Sequence, residues 1–429
     1  MTAKESGAPS QPTITTEVAI AGGGMVGLTL ALALAQAGLE VAVLDAAAPE
    51  TQLDAGFDGR ASAIAFASFR MWKALGVADR LEGAYQRIED ILVTDGRAPD
   101  GLRRGGPSAL RLHFDRRELD DAPDGEALGY MVENRAIRRA LLEAVAAHPG
   151  IDHRTQAKVV AAAFDRGAQL TLQDGGQVSA RLAVGAEGRV SLLRKAMGVR
   201  TIGWSYSQTA IVCTIAHELG HGGVAHEYFL PSGPFALLPL TQNRMNIVWT
   251  ERKAAAQALL AMNDADFLAE LQRRAGDFLG PIRLTGPRFS YPLGLQIAER
   301  YTAPNAVLVG DSAHSIHPIA GQGLNMGLRD VAALAECVAD AARLGLDPGD
   351  FTALERYQSW RRFDNVSLAL ATDGFNRLFS NDIGAVRLVR DLGMGAVNQI
   401  GLARRFFMRE AGGGVGDLPK LLRGESLAA

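Results

Sequence analysis

Short apolar runs alternate with amphipathic stretches along the chain, and glycine turns separate them. "EVAIA" (17–21) is apolar after its first residue and rich in β-formers, the pattern of a buried parallel strand. "MVGLTLALALAQAG" (25–38) then predicts a helix ended by Gly38, and "EVAVLD" (40–45) a second strand ending in Asp45. Farther along, "LGYMVENRAIRRALLEAV" (128–145) starts a helix near Asn134 and Arg135. "RLAVGAEGRVSLLRKAMG" (181–198) reads as strand, turn and a helix carrying Ser191 and Arg194. "NAVLVGD" (305–311) is a strand that runs into the helix "LNMGLRDVAALAECV" (324–338). A second kind of segment shows partial period-two alternation: "IEDILVTD", "ALRLHFD", "QTAIVCTIAHE", "GVAHEYFL", "FALLPL" and "RMNIVWT". Residues 76–125 and 201–285 are therefore expected to build a mostly antiparallel sheet. The part from 346 to 429 reads as helices.

The glycines give the first stretch its chemistry. "GGGMVG" places Gly22, Gly24 and Gly27 at the G-x-G-x-x-G spacing between strand and helix, with Asp45 closing the next strand. Gly22 allows a tight turn, Gly24 lets backbone approach a pyrophosphate, and Gly27 lets helix and strand pack closely. The pyrophosphate would sit at the helix N-terminus, and Asp45 would accept bonds from the ribose hydroxyls. The competing reading is a glycine-rich turn selected for packing, and the motif alone does not separate FAD from NAD.

The stretch "GDSAHSIHPIAGQGLNMGLRD" (310–330) sets two histidines, a proline and three glycines before a helix. His314 and His317 as metal ligands lack an evident third ligand, and the flanking Pro and Gly argue for a loop. A structural hydrogen bond from His314, or contact of one histidine with a bound cofactor or substrate, are the other readings. No metal site is expected. Cys337, on the following helix, reads as core.

In order, "GGGMVG", "DGRASAI", "GYMVENR", "GAEGRVSLLR", "FLPSGPFALLPL", "GDSAHSIHPIAGQGLNMGLRD" and "TDGFNRLF" resemble the class A flavoprotein hydroxylases, whose archetype is p-hydroxybenzoate hydroxylase. The similarity is greatest to the ubiquinone-biosynthesis branch and spans about residues 17 to 410. It implies an α/β fold: a Rossmann-like FAD-binding domain, an inserted, mostly antiparallel β-sheet substrate domain, and C-terminal helices. On that reading 17–75, 126–200 and 286–345 form the discontinuous FAD domain, 76–125 and 201–285 the substrate domain, and 346–429 the helical region. The resemblance also implies roles. Asp311 would hydrogen-bond the ribityl or phosphate region of FAD. Gly321, Gln322, Gly323, Leu324 and Asn325 would run past the pyrimidine end of the ring, with Pro318 near the reacting carbon. Arg60 and Arg135 would contact the cofactor or its edge. Glu187 stands where the family usually has Asp in a turn that helps bind FAD and is implicated in NAD(P)H handling. The implied reaction is hydroxylation of a polyprenylated phenol with O2, NAD(P)H serving as transient reductant and a flavin C4a-hydroperoxide as oxidant. Phe229, Pro231, Phe235 and Leu238 are pocket candidates as a group, or else core strand residues. The alternatives are a related flavin hydroxylase or reductase with another substrate, or a flavin-binding subunit that holds a lipid intermediate without turnover.

Composition narrows the field. With 429 residues, 48% hydrophobic and 21% charged, the chain is long enough for two or three domains with a sizeable core. A net charge of −3 gives no reason to expect nucleic acid. Cys213 and Cys337 are the two cysteines, far apart in apolar surroundings, which fits a reducing compartment. The polar segment 1–16 reads as a disordered leader of a cytoplasmic protein. A helical cap is the plain reading of 346–429. Its mixture of Arg and Phe, as in "ARRFFMREAGG", also suits a membrane surface, and other ubiquinone-biosynthesis proteins are the remaining partners that the resemblance suggests.

Overall fold

The computed structural model describes residues 13–54, 56, 58–96, 111–118, 126–380 and 398–428. The first twelve residues of the expected leader lie outside them. At the centre of an eight-stranded sheet is Ile14–Ala21, flanked in parallel by Gln177–Gly185 and Val41–Leu44. Ala306–Leu308 and Ile151–Arg154 extend the parallel set on either side. The last four residues of the central strand are buried, as a continuous apolar run on a sheet covered on both faces requires. Against it lies the helix Met25–Gln36, buried from Gly27 to Ala35, which explains why its sequence lacks a polar stripe. Gly38 follows at φ +91° and donates to the Ala35 carbonyl.

A nine-stranded sheet forms the second layer. Its spine is Thr201–His217, 17 residues paired antiparallel with Arg244–Arg252 and with Phe289–Ala298. Beyond Arg244–Arg252 come Gly233–Leu240, Val224–Leu230, Asp90–Asp95 and Arg111–Asp115. The pairing of Val224–Leu230 with Asp90–Asp95 is parallel, because those two strands come from separate stretches of chain rather than from one hairpin. Two sequence boundaries shift. Phe289–Ala298, expected in the cofactor region, lies in this sheet. Tyr85–Ile88, expected in the substrate region, pairs with Gly129–Glu133 in a three-stranded sheet completed by Ala61–Ala65. Strand propensity shows that such segments are strands; partners distant in sequence choose the sheet.

The helix Phe351–Phe379 is capped by Asp350, which accepts from the amides of Thr352 and Ala353 at 2.9 and 3.2 Å. It is fastened to the helix Gln322–Arg343 through Asp330. Arg361 Nε and Asn365 Nδ2 donate to Asp330 Oδ1 at 3.1 and 3.0 Å, while His314 Nε2 and the Gly310 amide reach Oδ2 at 2.5 and 3.0 Å. The described part of the C-terminal region thus packs as a helical cap. No described helix is long and apolar enough to cross a membrane.

Candidate functional site

Between the two large sheets lies a cavity of about 740 Å³. One side is built from backbone. The helix Met25–Gln36 begins at Gly24 and the helix Gln322–Arg343 at Gly321, both without a side-chain cap, so their first amides are available to a ligand. Gly24, Gly321 and Gly323 all line the cavity. A Cβ on Gly24 or Gly323 would meet nothing within 4 Å, so the space in front of both is open. Gly22 and Gly27 act differently. Gly22 sits at φ +110° with a virtual Cβ 2.4 Å from the Ala186 carbonyl, and that of Gly27 falls 2.0 Å from the Gly22 carbonyl. These two glycines let the chain cross itself; Gly24 is the one that faces the ligand space.

Asp45 ends its strand beside the loop, but its carboxylate is held locally by the Ala47 amide at 3.0 Å and by Gln52 Nε2. It is 7% exposed and stands outside the lining of this cavity, its carboxylate tied into a local turn at the end of its strand. Gly23 is required by it, since a Cβ there would sit 2.2 Å from Asp45 Oδ2.

Asp311 is the opposite case. It is exposed, yet the surface that it exposes is cavity wall. Burial among protein atoms pushes its carboxyl pKa up, against the pull of His314 and Arg60. Arg60 also lines the cavity. Its guanidinium is held by Asp58 at 2.8 and 2.9 Å and stacks over Tyr291 at 4.8 Å. Asp58 further accepts from Asn134 Nδ2 at 2.9 Å and Arg138 at 2.8 Å. Although burial opposes it, this ring of donors, Arg60 foremost, holds Asp58 far below the usual carboxylate range. Asp58 stands inside the "DGRASAI" motif, yet the sequence offered no reason to assign it a role; two of its donors, Asn134 and Arg138, come from a helix 76 and 80 positions away.

Arg135, expected at the cofactor, is exposed and outside the lining; on the same helical turn Asn134 reaches the cavity instead. Helical geometry turns adjacent side chains about 100° apart, so only one of the pair can face inward. Glu187 is likewise outside the lining. It accepts from Ser191 Oγ and from the amides of Leu192 and Leu193 at 3.1 and 2.9 Å, capping the helix Leu192–Ala196. The longer side chain reaches that helix end, and Ala186, Gly188 and Arg189 of the turn line the cavity.

In the 310–330 loop, Pro318 is exposed to the cavity, and Gly321 takes φ +63° with its virtual Cβ 3.2 Å from Ala63. Leu324 lines the wall. Gln322 donates to the Ala411 carbonyl at 3.3 Å. Asn325 lines the wall too, but its amide staples the loop to the strand Ala61–Ala65: it accepts from the Ala65 amide at 2.9 Å and donates to the Ala63 carbonyl at 2.8 Å. His314 is the structural hydrogen-bonder, paired with Asp330 in full burial. His317 is buried with both ring nitrogens unpaired among the described residues, its ring edge-on to Tyr206 at 5.3 Å, and burial lowers its pKa to about 4. No group of three His, Cys, Asp or Glu that could hold a metal occurs among the described residues. The Cys337 thiol is core, pushed up to about 12 by burial.

The opposite wall is the inner face of the nine-stranded sheet. Phe229 and Leu238 line it, as expected; Pro231 does not. Phe235 is turned away: it is fully buried in the core behind the sheet, edge-on to Trp249 at 5.7 Å. Pro234, Ala236 and Leu238 are its cavity-facing neighbours, the period-two set that strict alternation would have selected.

The cradle suits a flavin dinucleotide. Two uncapped helix starts, two glycines opening on free space and the Asp311 carboxylate beside them match a long anionic cofactor with a polyol between its phosphates and its ring. The comparisons agree. Residues 15–362 match the family model described as "FAD binding domain". The chain is 48% identical over 417 residues to ubiquinone hydroxylase UbiL of Rhodospirillum rubrum, covering 96% of this chain and 93% of that protein. It is 35% identical over 402 residues to the 3-demethoxyubiquinol 3-hydroxylase of Escherichia coli, covering 92% and 98%. Among solved structures, p-nitrophenol 4-monooxygenase PnpA of Pseudomonas putida superposes with a TM-score of 0.77 at 19% identity, over 94% of this chain and 100% of that one. The chain belongs to the FAD-binding flavin monooxygenases of class A, the family that includes the ubiquinone hydroxylases.

Proposed function

We propose that this protein is an FAD-dependent, NAD(P)H-driven monooxygenase that hydroxylates the ring of a polyprenylated phenol in ubiquinone biosynthesis. The observation that carries the reading is the asymmetry of the cavity. A backbone cradle for FAD faces a wall made mainly of apolar side chains, Val93, Phe229, Ala236, Leu238 and Val248 among them. Such a wall favours a greasy aromatic over a small benzoate, which would require a cation to meet its carboxylate. The relatives named above support it, being hydroxylases named for ubiquinone or a ubiquinol.

When bound, FAD would take a hydride from NAD(P)H and activate O2 so that one oxygen atom enters the ring. The chain's own part is positional. The amides at Gly24 and at Gly321–Gly323 would favour negative charge on the phosphates and on the reduced ring. Asp311 would accept from the polyol, and Arg60, fixed by Asp58, would stand at the cofactor's edge. The apolar wall would exclude water from the reacting oxygen. Glu187 caps a helix outside the cavity, so its departure from the usual Asp lends no support to a non-catalytic role.

Purified protein should carry the visible flavin band. Prenylated phenol should accelerate NAD(P)H oxidation and yield a ring product one oxygen heavier, labelled from 18O2. Turnover that gives only hydrogen peroxide with every prenylphenol would refute the substrate class.

A further inference from the structure

Within the apolar sheet wall stands one carboxylate that the argument so far leaves unused. Glu227 lies on the strand Val224–Leu230, in register with Val93 on one side and Ala236 on the other. It lines the cavity and is partly buried. No described residue gives its side chain a hydrogen bond or an ion pair. Period-two alternation sets Glu227 on the same face as Ala225 and Phe229, while Tyr228 goes to the core behind the sheet. Its place relative to the chemistry follows from its neighbours. Phe229 shares one apolar cluster with Ile319, the residue after Pro318 in the loop, and Val93 packs against that cluster. Glu227 is therefore one pleat from the point where the sheet wall meets that loop.

An unpaired carboxylate in an apolar wall costs stability. A ligand donor would offset that cost, and a phenol hydroxyl is such a donor. We infer that Glu227 accepts the hydrogen bond, and during turnover the proton, of the substrate's phenolic hydroxyl. The inference rests on the hydroxylase reading and names the group that orients and activates the ring. As the new C–O bond forms, the phenolic O–H bond breaks, its proton moves to a Glu227 oxygen, and the oxygen's electron density flows into the ring. When the attacked carbon gives its own proton to water and aromaticity returns, Glu227 gives the phenolic proton back to the oxygen. The overall balance is unchanged: phenol, O2, NAD(P)H and H+ become the hydroxylated phenol, water and NAD(P)+. Burial holds the Glu227 carboxyl up at about 8, so its base form grows in as pH rises through that value. Other ionisable groups on the cavity wall are Arg60, Arg189, His226, Tyr291 and Asp311. None of them supplies the shift, which comes from burial alone.

The test uses the flavin-loaded enzyme and two probes, a short-chain prenylated phenol and its methyl ether. Wild type should bind the phenol at least about tenfold more tightly than the ether, read from the perturbed flavin spectrum. Glu227→Leu should erase that preference. Glu227→Gln, the near-isosteric variant, should keep the flavin and its reduction by NAD(P)H. Its hydroxylation of the phenol should fall about 100-fold or more, with NAD(P)H oxidation diverted to peroxide and the rise in rate near pH 8 lost. Glu227→Asp should restore part of the rate. Variants that hydroxylate at the wild-type rate with the wild-type pH profile would overturn the role of Glu227 and leave the hydroxylase reading intact. A wild-type enzyme that turns over no prenylphenol would overturn both.

Discussion

At the scale of single residues, the site is set by which carboxylates are already satisfied. Asp58, Asp45 and Asp330 are saturated by protein donors. Asp311 and Glu227 have no protein donors among the described residues, and both face the cavity. A carboxylate left without partners in a folded protein costs stability unless a ligand completes it, so these two mark where ligand atoms belong. Asp311→Asn should keep the fold by circular dichroism while weakening FAD retention about 10- to 100-fold. That is the loss expected for one charge-assisted hydrogen bond of about 1.5–3 kcal/mol; titration of stripped protein with FAD by fluorescence quenching checks it. Of the cofactor residues expected from sequence, Gly24, Arg60, Asp311, Gly323, Leu324 and Asn325 come together on one wall. Arg135 and Glu187 fall outside it, because motif spacing does not tell which side of a turn a side chain takes.

Among the elements, two helices start at the cavity and two sheets close it. The helix starts are open because glycine, not Ser or Asp, stands at each N-cap. Gly323, in the first turn of Gln322–Arg343, separates the demands of folding from those of binding. Ala is the better helix former there by about 1 kcal/mol, and its Cβ would meet no protein atom. Gly323→Ala should therefore leave the cofactor-free protein as stable as wild type or more so in urea, yet it should weaken FAD binding, because the methyl group enters the ligand space. Equal affinity in both proteins would show that the cofactor does not approach this turn. Gly27→Ala offers no such separation: its Cβ collides with the Gly22 carbonyl within the protein.

Across the whole molecule, Asp330 ties the cofactor loop to the C-terminal cap. His314 from the loop, and Arg361 and Asn365 from the helix Phe351–Phe379, converge on it in full or nearly full burial. Despite the opposing effect of burial, His314 above all and then Arg361 hold its carboxyl down at about 2. The sign follows from linkage. An acid whose pKa is lower folded than unfolded adds stability above its unfolded value of 3.8, and loses it as pH falls through about 2. Asp330→Asn should thus destabilise the protein by about 3 kcal/mol near neutral pH, and the difference from wild type should shrink as pH falls below 4. Urea denaturation at neutral pH and near pH 3 measures both. The same cap reaches the sheet wall of the cavity, where the Phe379 ring packs tilted against Phe229 at 4.2 Å.

Glycine spacing, apolar runs and period-two alternation determined the strands, the main helices and the dinucleotide loop, and the ordered motif set, through its resemblance to the flavoprotein hydroxylases, pointed to a flavin fold. Those signals are local, written in residues a few positions apart. The tertiary structure alone decided which strand joined which sheet, that Phe235 faces the rear core while Glu227 faces the cavity, and that Asp58 and Asp330 each gain donors from distant segments. Whether a polar group is satisfied or left open depends on atoms brought near by folding, and its own sequence neighbours do not record them.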